Sequence, residues 1–130
     1  EAEFVRAKLA GAMLDYPIAF DFEQSAEGIV SRVANLSSEE ASAIARAFCE
    51  TLEAAGYDVI LYGNGHDLAR YSDDLLERYP IWYAEYGALP AYTNEYVLWQ
   101  YASVGELNGI DTQVDLNLDL SEVLAAENGD

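Results

Sequence analysis

The chain reads as an α/β protein built on a mainly parallel sheet of about five strands with three helices, the last strands following one another without a helix between them. Two observations predict this. Short β-rich runs alternate with segments of helical periodicity, and the turns between them are brief, which is the pattern of strand–helix–strand units. With 130 residues and 52% hydrophobic content spread along the chain, the protein is long enough for a single domain. A domain of this size buries about two-thirds of its unfolded surface.

Phe4, Val5 and Leu9 are spaced as on one helix face, so residues 3–12 are expected to be a helix leading into the first strand. Residues 17–23 form that strand. Positions i and i+2 of a strand share a face, so Ile18, Phe20 and Phe22 are expected on the core side, with Asp21 and Glu23 projecting together from the other. Residues 24–36 have a mixed pattern, fitting a long loop or short helix that supplies a substrate wall. Ser37 and Glu40 make a capping box, after which Ala41, Ile44, Ala45, Phe48 and Leu52 repeat at helical spacing up to the stop at Gly56.

Tyr57 to Tyr62 is the second strand, closed by the turn Gly63-Asn64-Gly65, and residues 67–78 carry Leu68, Tyr71 and Leu75 at helical spacing. Pro80 opens a third strand, Ile81 to Tyr86. Tyr96–Tyr101 and Gln113–Leu118 are two more, joined by the connection Ala102 to Thr112, and a short polar end begins at Ser121. In α/β barrels working residues sit at the C-terminal strand ends. Here those ends carry Asp21, Glu23, Tyr62, Tyr86, Gln100 and Asp115.

Composition narrows the partners. Twenty-four acidic against six basic residues give a net charge of −18, which opposes binding to nucleic acid and to anionic lipid. No apolar run approaches the roughly 18 residues of a membrane span. The N-terminal residues lack the basic start and apolar stretch of a secretory signal. The single cysteine, Cys49, excludes an internal disulfide and a cysteine-based zinc site, and its place among Ala45, Phe48 and Leu52 marks it as core. His66, the one histidine, has no partner at metal-ligand spacing and is expected as an exposed turn residue. Asp115 to Asp119 lacks the glycine of a calcium loop at Leu120 and alternates as a strand. No metal and no cofactor is expected.

Two carboxylates on one pocket wall raise each other's cost of ionisation, which is how a carboxyl stays protonated as a general acid near neutral pH. The plainer alternative is a solvated strand end. Tyr62, Trp82, Tyr86 and Gln100 are candidates for a substrate-binding wall, since aromatic faces stack on flat apolar ring faces and an amide bonds polar substituents. Trp99 differs in parity from Gln100 and reads as core.

Taken in order, these pieces resemble the later part of a glycoside hydrolase family 25 catalytic domain, the muramidase-type lysozymes. The similarity lies in Asp-x-Glu at a strand end (Asp21, Glu23), Gly56-Tyr57 leading into a strand that ends at Tyr62, and Trp82-x-Ala84-x-Tyr86. It continues through Trp99-Gln100-Tyr101, the Gly105-x-x-x-Gly109-Ile110 connection, and Val114-Asp115-x-Asn117. It covers residues 1 to 118.

The resemblance implies a partial (β/α) barrel and cleavage of peptidoglycan between N-acetylmuramic acid and N-acetylglucosamine, with the glycan strand as partner at an extracellular or cell-wall location. It implies Glu23 as proton donor. Asp21 and Asp115 would complete the acidic cluster, one of them stabilising charge at the substrate 2-acetamido group or positioning water; assisted and direct attack both stay open.

A full domain of the family resembles an eight-stranded barrel whose first strand supplies a further Asp in an Asp-x-Ser context. That portion is expected to be missing, making residues 1–130 a single incomplete domain with unpaired outer strands. Three arrangements follow: a fragment, pairing with a separate N-terminal barrel piece, or self-association through those edges. The competing function is a catalytically incomplete glycan-binding or interaction domain derived from the same fold.

Overall fold

The computed structural model describes residues 1–23, 33, 35–87 and 89–127. Helix α1 (Ala2–Leu9) leads to β1 (Ile18–Asp21), α2 (Ser38–Glu53) and β2 (Val59–Gly63). Then come α3 (Gly65–Leu68), α4 (Asp73–Arg78), β3 (Ile81–Ala84), β4 (Leu98–Gly105), β5 (Val114–Asp119) and α5 (Ser121–Glu127). One sheet holds all five strands in the order β1-β2-β3-β4-β5. The first four run parallel and β5 returns antiparallel along β4. The fold class is that expected from the sequence.

The sheet curls. Tyr16, just ahead of β1, donates its hydroxyl to Asp119 Oδ2 at 2.8 Å, although Asp119 ends the strand at the opposite edge. Ile60 makes the same point. It pairs with Ala19 on the face away from the helices, yet is only 1% exposed.

On the helix side the core forms by parity and small residues. Ala41, Ala45, Cys49 and Leu52 line one stripe of α2 and are fully buried, the alanines letting the helix approach the sheet closely. Phe20 meets Phe48 at 4.9 Å and Phe22 at 5.6 Å between ring centroids, and Leu61, Leu68, Leu75, Ile81 and Tyr83 continue the cluster. Trp99 packs against this cluster, on the side its parity indicates. Cys49 is buried, and burial pushes its thiol up to about 12.

The capping box closes as expected. Ser37 Oγ accepts from the Glu40 N–H at 3.2 Å, while Glu40 Oε2 accepts from the Ser37 N–H at 2.8 Å. Ser37→Ala removes one half of this exchange, and a loss of about 1 kcal/mol in stability is expected. Urea unfolding followed by circular dichroism checks it.

Among the described residues five helices stand where three were expected. The segment 67–78 is two helices, because Ser72 sends its N–H to Ser42 Oγ of α2 at 2.9 Å and Tyr71 turns in against Phe20 and Phe22. At the tail, Asp119 Oδ1 accepts from the Ser121 N–H at 3.0 Å, which starts α5 where an irregular end was expected. Helix α1 stops at Leu9 and not at residue 12, since Ala10 and Gly11 both take left-handed conformations. Strand β4 runs on to Gly105, into the predicted connection, because β5 pairs along it. The wall expected from residues 24–36 lies, apart from residues 33, 35 and 36, outside the described residues.

Candidate active site

Strand pairing sets the face. Asp21 aligns with Tyr62, Tyr62 with Trp82, and Ala84 with Gln100, which in turn opposes Asn117. Paired residues share a face of the sheet, so the side opposite the helices carries Asp21, Tyr62, Trp82, Gln100 and Asn117. Glu23 has the parity of Asp21, and Asp115 that of Asn117. Asp115 lies near the start of β5, but β5 is antiparallel, so it stands at the same end of the sheet as the C-terminal ends of the parallel strands.

Asp21 and Glu23 are hydrogen-bonded to each other, and their roles are unequal. Burial of part of its surface is the main cause raising Asp21, offset by hydrogen bonds from the Glu23 side chain and backbone that favour its ionised form. Glu23 is also raised, first by burial, then by the charges of Asp21 and Asp67, the Asp21 hydrogen bond and Asp115. Every one of these favours the protonated form. Glu23 is therefore the member of the pair whose surroundings all push toward the protonated form, whereas at Asp21 the hydrogen bonds oppose burial. Both residues remain exposed, so solvent reaches them even though part of each is covered.

Beside Glu23 a cleft of about 400 Å³ opens between Tyr62, Asn64, Gly65, Tyr83, Ala84, Glu85 and Tyr86. The Tyr62 and Trp82 rings meet edge to face at 5.0 Å and 70°, and Trp82 Nε1 donates to Asn117 Oδ1 at 2.9 Å. Gln100 is 3% exposed, and its Oε1 accepts from both Tyr62 and Tyr86 hydroxyls, at 2.8 and 2.5 Å. It thus sits behind the tyrosines and orients them. Burial and the neighbouring Glu23 raise the Tyr62 hydroxyl well above the usual phenol range, keeping it a donor. A larger hollow of about 570 Å³ lies at the other end of the sheet, by Pro80 and Val97, and contains none of the acid cluster.

The structure thus gathers Asp21, Glu23, Asp115, Tyr62, Trp82, Tyr86 and Gln100 around one end of the curled sheet. Asp67 joins them unforeseen. The turn at Gly63 to Gly65 runs directly into α3, which carries His66 exposed and Asp67 buried. Asn64 as a helix cap three residues before an acid was the signal available for it. Among the described residues no group of three or more His, Cys, Asp or Glu side chains is arranged to hold a metal ion. Nor is any helix there long and apolar enough to cross a membrane.

Comparison with known proteins follows the same lines. Residues 1–110 match the model of glycosyl hydrolases family 25. An autolytic lysozyme of Clostridium acetobutylicum is 30% identical over 118 residues, 90% of this chain and 34% of the relative. The chain thus spans about a third of that relative's length. The modular autolysin LytC of Streptococcus pneumoniae, solved with a synthetic peptidoglycan ligand, superposes with a TM-score of 0.76 at 26% identity, covering 89% of this chain and 29% of LytC. A family 25 glycosyl hydrolase from Bacillus anthracis shares the fold, with a TM-score of 0.70 at 22% identity over 98% of this chain and 62% of that one.

Proposed function

The chain belongs to glycosyl hydrolase family 25, and from that premise we propose that it acts on peptidoglycan as a muramidase, cleaving the β-1,4 bond between N-acetylmuramic acid and N-acetylglucosamine. The observation that carries this reading is the unequal carboxyl pair at the mouth of an aromatic cleft: Asp21 and Glu23 share a hydrogen bond, and burial and the neighbouring carboxylates all push Glu23 toward its protonated form. Glycosidases need one carboxyl protonated to meet the leaving oxygen and a second negative group to offset charge at the oxocarbenium-like centre.

In this mechanism Glu23 gives its proton to the glycosidic oxygen. As it does so, its negative charge is set beside that of Asp21, and both then face the developing positive charge on the sugar. Asp115, across the site on β5, either steadies the 2-acetamido group as it attacks or holds the water that completes hydrolysis. Tyr62, Trp82 and Tyr86 form the wall against which the pyranose rings pack, the two tyrosines held in place by Gln100. The autolysin and lysozyme names of its relatives, and the peptidoglycan ligand of LytC, fit action at the cell wall.

Digestion of purified peptidoglycan tests the proposal. The expected result is a fall in turbidity with new reducing ends on N-acetylmuramic acid. Muropeptides retained by the chain with no reducing ends released would replace the hydrolase reading with that of a glycan-binding domain.

A further inference from the structure

Trp82 Nε1 on β3 donates to Asn117 Oδ1 on β5 at 2.9 Å, although β4 runs between the two strands. Neighbouring strands stand about 4.8 Å apart, so the indole lies across β4 to make this bond and presents its face, not its edge, to the open side of the sheet. The Tyr62 ring stands against it at 5.0 Å and 70° from β2. An indole N–H only donates. The atom of Asn117 that faces it is therefore the carbonyl oxygen, and the side-chain NH2 is turned away from the ring. Among the described residues that NH2 meets no acceptor, and Asn117 is exposed.

The other donors of this wall are spent. The Tyr62 and Tyr86 hydroxyls both go to Gln100 Oε1, the Trp82 N–H goes to Asn117, and Gln100 itself is 3% exposed. Asp21 and Asp115 are carboxyls, and the proton of Glu23 is the one given to the glycosidic oxygen. A neutral carbonyl brought onto the face of Trp82 thus finds one free side-chain donor in this set, the Asn117 amide.

We propose that Asn117 is a specificity-determining residue, donating from Nδ2 to the acetamido carbonyl of the sugar that rests on Trp82, so that the site reads N-acetylated glycan. The inference rests on the muramidase reading of the site. Asp115 lies two residues earlier on the same face of β5, about 7 Å away along the strand. The acetamido group it serves is a different one. A hydrogen bond to an attacking carbonyl oxygen would hold back the lone pair it needs, whereas at the adjoining sugar the same bond only fixes the ring. The bond to Trp82 serves both partners, holding the indole flat and aiming the amide.

Two soluble probes test this: the trimer of N-acetylglucosamine and its free-amine counterpart, the trimer of glucosamine. Binding of each is measured by NMR titration on the native chain, Asn117→Ala and Asn117→Asp. Affinity for the N-acetylated trimer is expected to fall about threefold to tenfold in both variants, the range of one neutral hydrogen bond, while affinity for the glucosamine trimer does not fall. Asn117→Ala carries the same charge as the native chain, so attraction of the amines to the acid cluster cancels in that comparison. Asn117→Asp keeps an oxygen for Trp82 and loses the NH2. The Trp82 indole N–H resonance, distinguished from that of Trp99 by its loss in Trp82→Phe, should therefore stay downfield in Asn117→Asp and move upfield in Asn117→Ala.

Unchanged affinity for the N-acetylated trimer overturns the inference, as does a parallel loss for both trimers, which is what a purely structural role would give. A loss in Asn117→Ala that Asn117→Asp does not share overturns it too, because the effect then passes through the Trp82 ring. Should one variant fail to fold, the other is judged by the same pair of probes. A native chain that binds neither trimer also sinks the inference. One that binds the N-acetylated trimer but releases no reducing ends from peptidoglycan ends the hydrolase reading, and the two probes still decide the role of Asn117.

Discussion

Glu23→Gln is expected to reduce release of reducing ends from peptidoglycan by at least about a hundredfold, since a positioned general acid contributes on the order of 10² to 10⁴ in rate. The glutamine amide can still donate to Asp21, so the hydrogen bond is kept while the transferable proton is lost. Stability should not fall. Glu23 is raised from its ordinary value of 4.5 in the folded chain, which means the folded state binds more protons than the unfolded one over the interval above that value. Stability of the native chain therefore declines as pH rises from about 4.5 through the folded-state value, then levels off. Glutamine has no such titration. The variant should match the native chain near pH 4 and equal or exceed its melting temperature near pH 7. An active variant, or one that melts lower at neutral pH, contradicts the assignment of Glu23 as the proton-holding acid.

The second large effect is expected at Gly105→Val. A Cβ at this position would come within 2.5 Å of Leu116 Cδ2 and 2.6 Å of Leu116 Cγ, and within 2.9 Å of the Val114 carbonyl oxygen. Leu116 can rotate, but the Val114 oxygen belongs to the backbone of the paired strand. The glycine also sits where register slips between the Ala102–Leu116 and Gly105–Val114 pairs, so the sheet depends there on close backbone approach. Valine should push β5 away from β4 and cost about 1–3 kcal/mol or more. Asp115 lies between the two displaced residues, so activity should fall further than stability alone explains. Urea unfolding and peptidoglycan digestion, compared on the same preparation, check both parts. A variant within about 0.5 kcal/mol of the native chain would show that the strand accommodates the side chain.

Local rules in the sequence were enough for much of the site and fold. The capping box at Ser37 and Glu40 and the apolar spacing after it specify α2 through contacts within a few residues. Two-residue alternation places Phe20 and Phe22 in the core and Asp21 and Glu23 on the other face, and it separates Trp99 from Gln100 in the same way. Such periodicities follow from backbone geometry alone, so a short stretch of chain reveals them.

What the sequence by itself determined, then, is which side of each strand a residue occupies and where the secure helix begins; only tertiary structure decided which of those residues meet and how much water they keep. Asp115 reaches the acid cluster because β5 runs backwards along β4, a direction set by long-range pairing. Gln100 orients two tyrosines because Tyr62 and Tyr86 arrive from other strand ends. The segment 67–78 breaks because Ser42, thirty residues earlier, takes the N–H of Ser72. Asp67 is buried by the close approach of α3 to Gly63 and by the surrounding core. The physical reason is common to all four. Facing is a property of neighbouring peptide units, whereas burial, charge coupling and strand direction belong to groups brought together across the chain.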